Sequence, residues 1–240
     1  MAFVNTYEDA RRAEAYAKLE FPGTYYLAYR DLPDIIAGHV AGKTAIDFGC
    51  GAGRSTRFLK NLGFSTIGID ASDEMLALAR RNDPGGIYQR IENDSFGAFP
   101  NRTVDLILSA FTFDNTPTFE RKIRIFGEMR RVLSSEGRIV NLVSAPEIYW
   151  NEWSSFSTKD FPENKEAQCG DVVRIINTDI EDRRPVEDIL WPEEDYHRVY
   201  DAAHLEIVGM FRPLGKAEEP VRWVNETRIA PWTVYVLKAR

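Results

Sequence analysis

The chain has 240 residues, of which 44% are hydrophobic and 28% charged, with a formal net charge of −7. That composition suits one soluble α/β domain with an insertion, able to bury roughly 70–75% of its unfolded surface without a metal or disulfide staple. The basic residues lie in scattered pairs rather than a stripe, the two cysteines (Cys50 and Cys169) form no CxxC, and no apolar run is long enough to span a bilayer, which disfavours nucleic-acid, zinc and membrane roles.

In chain order, residues 8–20 and 24–40 predict two tyrosine-rich helices. The start, "MAFVNTYEDARRAEAY", lacks the apolar core of a secretion signal, so a cytoplasmic location is expected. Strands and helices then alternate. "TAIDFG" is a strand and "RSTRFLKNLG" a helix ending at Gly63. "STIGID" is the second strand, followed by the helix "SDEMLALARRN", with Ser72 to cap it, acids in its first turn and arginines in its last. "GIYQRIEND" is the third strand and "VDLILSAF" the fourth; "TFERKIRIFGEMRRVL" is a helix and "GRIVNLVS" the fifth strand. This alternation predicts βαβ units and a parallel sheet.

At Pro146 the rhythm breaks. Residues 146–190 are rich in aromatics, acids and proline, with "DVVRIINT" and "VEDILW" as a possible strand pair, and a long loop of this kind is usually a functional lid. The helix "EEDYHRVYDAAH" and the strands "LEIVGMFRP" and "WTVYVLKA" close the chain as one domain spanning 1–240.

The stretch "AIDFGCGAGRSTRFL" puts glycines at 49, 51 and 53 between a strand and a helix. A dinucleotide fingerprint reads G-x-G-x-x-G, with an acid about twenty residues on for the ribose. Here the third glycine position of that pattern is Arg54, while Asp70 stands at the ribose distance. Asp47, a carboxylate at the entrance of the loop, opposes a pyrophosphate and suits a ligand with a positive end and a ribose.

With these motifs the sequence resembles the class I S-adenosylmethionine-dependent methyltransferases. "AIDFGCGAG", "GIDASDEML", "NDSFGAFP", "VDLILSAF" and "RVLSSEGRIV" match that family's motifs in order, across about residues 40–145. The resemblance implies a doubly wound, Rossmann-like sheet of seven strands, mostly parallel, with the last strand antiparallel. A smaller resemblance, to bacterial methyltransferases of small metabolites, implies an N-terminal helical lid (1–40) and an insertion after the fifth strand (146–190) over the acceptor site. The cofactor so implied is S-adenosyl-L-methionine, leaving as S-adenosyl-L-homocysteine, without a metal.

The resemblance assigns Asp70 to the ribose hydroxyls and Asp94 to the adenine amino group, with Asn93 beside it as the alternative. Gly49, Cys50, Gly51, Gly53, Ala71, Ser95, Ser109, Ala110 and Phe111 complete the expected cofactor wall, with Asp47 at its entrance. Met75 fits either the core or the adenine face. His39, His197 and His204 are all better placed as structural or exposed groups than as a base. Asp114, after the fourth strand, is the best-placed acid to orient an acceptor, a turn-making role being its alternative. Phe113 and Asn115 would share the acceptor site, and Tyr7, Tyr16, Tyr25, Tyr29, Tyr149, Trp150 and Trp153 would supply the lid. The expected chemistry is methyl transfer to nitrogen or oxygen of a small, nitrogen-containing metabolite, by a monomer or homodimer. RNA or protein methylation, a nicotinamide oxidoreductase and a non-catalytic S-adenosylmethionine-binding protein are the competing classes.

Overall fold

From Thr44 onward, short apolar runs separated by amphipathic helices pair side by side. The computed structural model describes Glu14, residues 19–97 and residues 99–240. Within these, the strands in chain order are β1 (Thr44–Phe48), β2 (Ser65–Asp70), β3 (Ile87–Arg90), β4 (Val104–Ala110), β5 (Leu133–Ser144), β6 (Phe156–Ser157), β7 (Val172–Asn177), β8 (Val186–Ile189), β9 (Leu205–Phe211) and β10 (Trp232–Ala239). The helices are α1 (Gly23–Arg30), α2 (Leu32–His39), α3 (Arg54–Asn61), α4 (Asp73–Asn82), α5 (Phe119–Val132) and α6 (Glu193–Ala202).

Seven strands form one sheet in the order β3-β2-β1-β4-β5-β10-β9. The first five pair in parallel, and β10 runs antiparallel to both β5 and β9. The sheet is thus the doubly wound, mostly parallel one that the resemblance implied. The strand order reverses at β1 and β4, so a crevice opens beyond their carboxyl ends, where ligands of doubly wound sheets bind. Along β4 the pleat sends Leu106 and Leu108 to the face covered by α1 and α2, and Ile107 to the face covered by α5 and α6.

Local chemistry sets the boundaries. The α4 helix is capped as expected: the Ser72 hydroxyl accepts from the Met75 amide at 3.2 Å. The expected helix 24–40 is instead two helices, because Pro33, at the start of α2, has no amide to continue the first ladder. Strand β3 stops at Arg90, short of the expected Asp94. Asn93 (φ 52°) and Asp94 (φ 59°) take left-handed backbone that a strand does not admit. The segment 146–190 is more ordered than a loop: β6, β7 and β8 pair into a small antiparallel sheet, with Phe156 opposite Asn177 and Val173 opposite Asp188.

Fully buried Glu226 ties three distant segments together. Its carboxylate accepts from the Thr24 hydroxyl (2.8 Å) and the amides of Ser154 (2.7 Å), Val224 (2.8 Å) and Asn225 (3.1 Å). Burial pushes its pKa up, but these donors outweigh burial and hold it below the usual value. Of the expected helix 8–20 only Glu14, Leu19 and Glu20 are among the described residues, and Tyr7 and Tyr16 lie outside them.

Candidate active site

A cleft lies over the carboxyl ends of β1, β2 and β4. Gly49, Gly51, Asp70, Ala71, Met75, Asp94, Ala110, Phe111 and Asn115 are on its wall, with Phe48, Ser72, Ile91, Thr112, Thr116, Arg121 and Ile125. The glycine loop is hung from β2: the amides of Gly49 (2.8 Å) and Cys50 (3.0 Å) donate to the Ile69 carbonyl. Asp70 holds the rest, accepting from the Gly51 amide (2.9 Å) on one oxygen and the Ser72 amide (2.8 Å) on the other. Each oxygen keeps acceptor capacity for a ligand hydroxyl. Burial raises the Asp70 pKa, with the two amides opposing the shift.

The glycines differ in what they make room for. A Cβ on Gly49 (φ +68°) would stand 2.1 Å from the Thr112 hydroxyl oxygen, so this glycine permits packing between loop and turn. A Cβ on Gly51 (φ +51°) would meet nothing nearer than the Met75 sulfur at 4.0 Å, so this glycine keeps the cleft itself open. Gly53 (φ +83°) lies against the Tyr88 ring, off the cleft wall.

Other expected cofactor residues sit behind the wall or beside it. Asp47 is fully buried beneath the loop, not at its open entrance. Its Oδ2 accepts from the hydroxyls of Ser55 (2.7 Å) and Thr56 (2.6 Å), two side chains of the first turn of α3 that the strand–turn–helix geometry brings back over β1. Its Oδ1 is buried with no partner among the described residues, and burial raises its pKa to about 6. Ser109 is likewise fully buried, since alternate positions of β4 point into the sheet's packed faces. Cys50 is buried in the loop, with its thiol pushed well up by burial. Asn93 and Ser95 are exposed beside the cleft. Asp94 reaches the wall, but its carboxylate is engaged by the guanidinium groups of Arg121 (2.8 Å) and Arg124 (3.0 Å). Together they hold its pKa below the ordinary range, against the opposing effect of burial.

A second cavity adjoins the cleft and shares Phe111 and Asn115 with it. Its walls are aromatic and aliphatic: Tyr25, Phe156 and Trp232 meet around it, with Tyr25 stacked on Trp232 at 5.9 Å between ring centroids, and Ile148, Ile175, Ile180 and Val186 fill in. Phe111, at the junction, has φ +65°, a costly conformation for a bulky residue and one found at functional sites. Asp114, Ser144, Tyr149, Asn177 and Asp188 supply its polar groups. Asp114 accepts from the Ser144 hydroxyl at 2.8 Å, and Asp188 from the Tyr149 hydroxyl at 3.0 Å. The turn carrying Asp114 is braced from behind by buried Lys122, which donates to the Phe113 carbonyl and lies 4.5 Å from the Trp191 ring centroid. Burial pushes Asp114 up and Lys122 down in pKa.

Several expected acceptor-side residues take other places. Phe113 is a core residue stacked on Phe126 at 4.2 Å, because the turn at Thr112–Asn115 points it under the sheet. Trp150 and Trp153 anchor the insertion through their indole N–H groups, which donate to the carbonyls of Asn164 and Ile148. Tyr29 lines a small cavity beside the glycine loop with Arg54. Arg54 itself, where a dinucleotide loop would have glycine, donates to the Glu20 carbonyl at 2.8 Å and lies over the Tyr25 ring at 5.0 Å. It fastens the segment before α1 onto the loop. Trp232, Asn177, Asp188, Lys122 and Glu226 carried no signal in the sequence. Apart from Lys122, nine residues from Phe113, they meet partners far away along the chain, which only the fold brings together.

The fold agrees with that of similar proteins. Residues 46–141 match the family model of a methyltransferase domain. The chain is 33% identical over 105 residues to a demethylmenaquinone methyltransferase of Tropheryma whipplei, a match covering 43% of this chain and 42% of that protein. It is 34% identical over 97 residues to an uncharacterized methyltransferase of Oceanobacillus iheyensis, covering 40% and 44%. The matches thus span less than half the length of these relatives. Among solved structures, an S-adenosylmethionine-dependent methyltransferase of Clostridium acetobutylicum shares the fold, with a TM-score of 0.60, 16% identity, and 98% and 99% of the two chains covered. One from Methanosarcina mazei does so with a TM-score of 0.62, 18% identity, and 85% and 96% covered. By its motifs, its sheet order and these matches, residues 46–141 are similar to a methyltransferase domain, and the chain shares the fold of S-adenosylmethionine-dependent methyltransferases.

Proposed function

We propose that this chain transfers a methyl group from S-adenosylmethionine to nitrogen or oxygen of a small molecule held in the aromatic cavity. The observation that carries this proposal is the junction at Phe111 and Asn115, where a cleft with a ribose-ready acid opens beside a mostly apolar cavity. The residues present fit the cofactor. Asp70 would accept from the ribose hydroxyls, Gly51 leaves room for the ligand, and Met75, Ile91 and Ile125 offer an apolar seat for the adenine. The unpartnered Oδ1 of Asp47 lies beneath the loop as a negative counterpart to a cationic end. Asp94, already ion-paired, would present Arg121 to the cleft rather than a bare carboxylate.

Bound S-adenosylmethionine supplies a methyl group on a sulfonium, a good leaving group. The chain's part is to orient the acceptor and exclude water, effects that reach about 7–11 kcal/mol in well-built sites. Tyr25, Phe111, Phe156 and Trp232 exclude water, while Asp114 and Asn115 set the acceptor's angle by hydrogen bonding. Residues 19–40 and 146–190 act as covers, the first fastened by Arg54 and both joined through Glu226. The local similarity to a demethylmenaquinone methyltransferase supports a second reading, an acceptor like demethylmenaquinone, and the mass and position of the product separate the two.

Calorimetry with S-adenosylhomocysteine tests the cofactor assignment. Wild type should bind it and not NAD, and Asp70→Ala should lose about 2–4 kcal/mol of affinity. Unchanged binding in that variant, or NAD binding of equal strength, refutes the assignment.

A further inference from the structure

The apolar end of the cleft has hydrogen-bond donors to offer and a carboxylate that is already engaged. Met75, Ile91 and Ile125 line that end. Arg121 lines it too, four residues before Ile125 and so on the same face of α5. Asp94 reaches this wall from the turn after β3. Its side chain is only 12% exposed, and its carboxylate accepts from Arg121 Nε (2.8 Å), Arg121 Nη2 (2.8 Å) and Arg124 Nη2 (3.0 Å). Burial pushes the Asp94 pKa up, but the two guanidinium groups outweigh burial and hold it below the ordinary range. The amides that follow are also spent. Ser95 donates to the Glu92 carbonyl (3.0 Å), Phe96 to the Glu128 carboxylate (3.0 Å) and Gly97 to the Ser95 hydroxyl (3.2 Å). Arg121 uses Nε and Nη2 on Asp94 and keeps the donors of Nη1 for the cleft.

We propose that this cleft reads the acceptor atoms of a purine through Arg121, rather than an exocyclic amino group through Asp94, so that a 6-oxopurine nucleoside is held at least as well as adenosine. This rests on the cofactor assignment above and names the residue that decides the base. The amino group of adenine donates, and here it would meet a guanidinium that also only donates. A 6-oxopurine presents O6 and N7 side by side as acceptors, the pair of atoms that an arginine fork fits. Adenine keeps N7 as an acceptor but has a donor in the place of O6. A bare carboxylate in this place would set the opposite order, accepting from the amino group and repelling O6.

Calorimetry of the full chain with S-adenosylhomocysteine and S-inosylhomocysteine, two ligands that differ only at this edge of the purine, tests the proposal. S-inosylhomocysteine should bind as tightly as S-adenosylhomocysteine within about threefold, or more tightly. Where a carboxylate reads the amino group, it would bind about tenfold to a hundredfold more weakly. Arg121→Met should weaken S-inosylhomocysteine by at least about tenfold and release Asp94 for the amino group, so that a preference for S-adenosylhomocysteine appears. A wild-type preference for S-adenosylhomocysteine of more than about threefold overturns the inference, whatever the variant does. So does a folded Arg121→Met chain that binds the two ligands in the wild-type ratio. If that variant does not fold, the wild-type ratio decides. Binding of neither ligand overturns the cofactor assignment and the inference with it, whereas tight binding of S-adenosylhomocysteine alone overturns only the inference.

Discussion

Alanine at two loop glycines, Gly49 and Gly51, should separate packing from ligand space. Both residues have positive φ, so each substitution costs about 1–2 kcal/mol in backbone strain. At Gly49 the new methyl also overlaps Thr112, whose hydroxyl is fixed by the Phe48 carbonyl at 3.0 Å. Overpacking of that kind adds about 1–3 kcal/mol. Gly49→Ala should therefore lose about 2–5 kcal/mol and Gly51→Ala about 1–2 kcal/mol. For a chain of this size that is roughly 2–4 °C of Tm per kcal/mol. Ligand binding should rank the other way, since the Gly51 methyl enters the cleft. Gly51→Ala should weaken S-adenosylhomocysteine by at least about tenfold, or 1.4 kcal/mol. Thermal unfolding with and without S-adenosylhomocysteine reads both quantities. If Gly51→Ala unfolds as early as Gly49→Ala, or keeps the full ligand-induced shift, the assignment of Gly51 to the ligand side is refuted.

Asp47, raised to about 6 by burial, holds its proton more tightly folded than unfolded. Its ionisation therefore opposes folding above pH 6, and the penalty fades as pH falls through 6 towards 4. Asp47→Asn should be less harmful at pH 7.5 than at pH 4.5 by about 2 kcal/mol in urea unfolding, and an equal effect at both pH values contradicts this. Glu226→Gln turns an amide N–H toward backbone donors and should cost about 2–4 kcal/mol at pH 7. Because the Glu226 pKa is lowered, its contribution is present above the unfolded pKa and wanes in acid, so the loss at pH 4 should be smaller. Arg54→Lys keeps the charge but loses the fork that grips the Glu20 carbonyl and the Tyr25 ring. Amide exchange in residues 19–30 should quicken in that variant, and unchanged exchange would show that Arg54 does not fasten this segment. Asp114→Asn should lower turnover and leave S-adenosylhomocysteine affinity nearly unchanged. Loss of stability with turnover per folded molecule intact would make Asp114 a turn residue only.

The parts of the fold governed by local chemistry were legible in the sequence. The alternation of β1 to β5 with α3, α4 and α5 follows from apolar period and capping, and Asp70 is placed by its spacing from the glycines. What was not legible depends on which face a side chain takes or on contacts across the chain. Asp47 looked like an entrance residue, yet Ser55 and Thr56 draw it beneath the loop. Phe113 looked like an acceptor wall, yet one short turn sends it into the core and leaves Phe111 at the junction. Asp94 could not be seen to be ion-paired, because Arg121 and Arg124 come from a helix about thirty residues away. Trp232 and Asp188 reach the cavity from the last strand and the insertion sheet, and no local pattern marks either.

Methyl transfer itself is tested most directly by incubating the full chain with S-adenosylmethionine labelled in its methyl group and a small-molecule extract. The products are then separated by size and charge. The label should appear on a small molecule, heavier by one methyl group, with one equivalent of S-adenosylhomocysteine formed. Label found only on RNA or protein, or S-adenosylmethionine left intact while the folded chain binds it, would contradict the account.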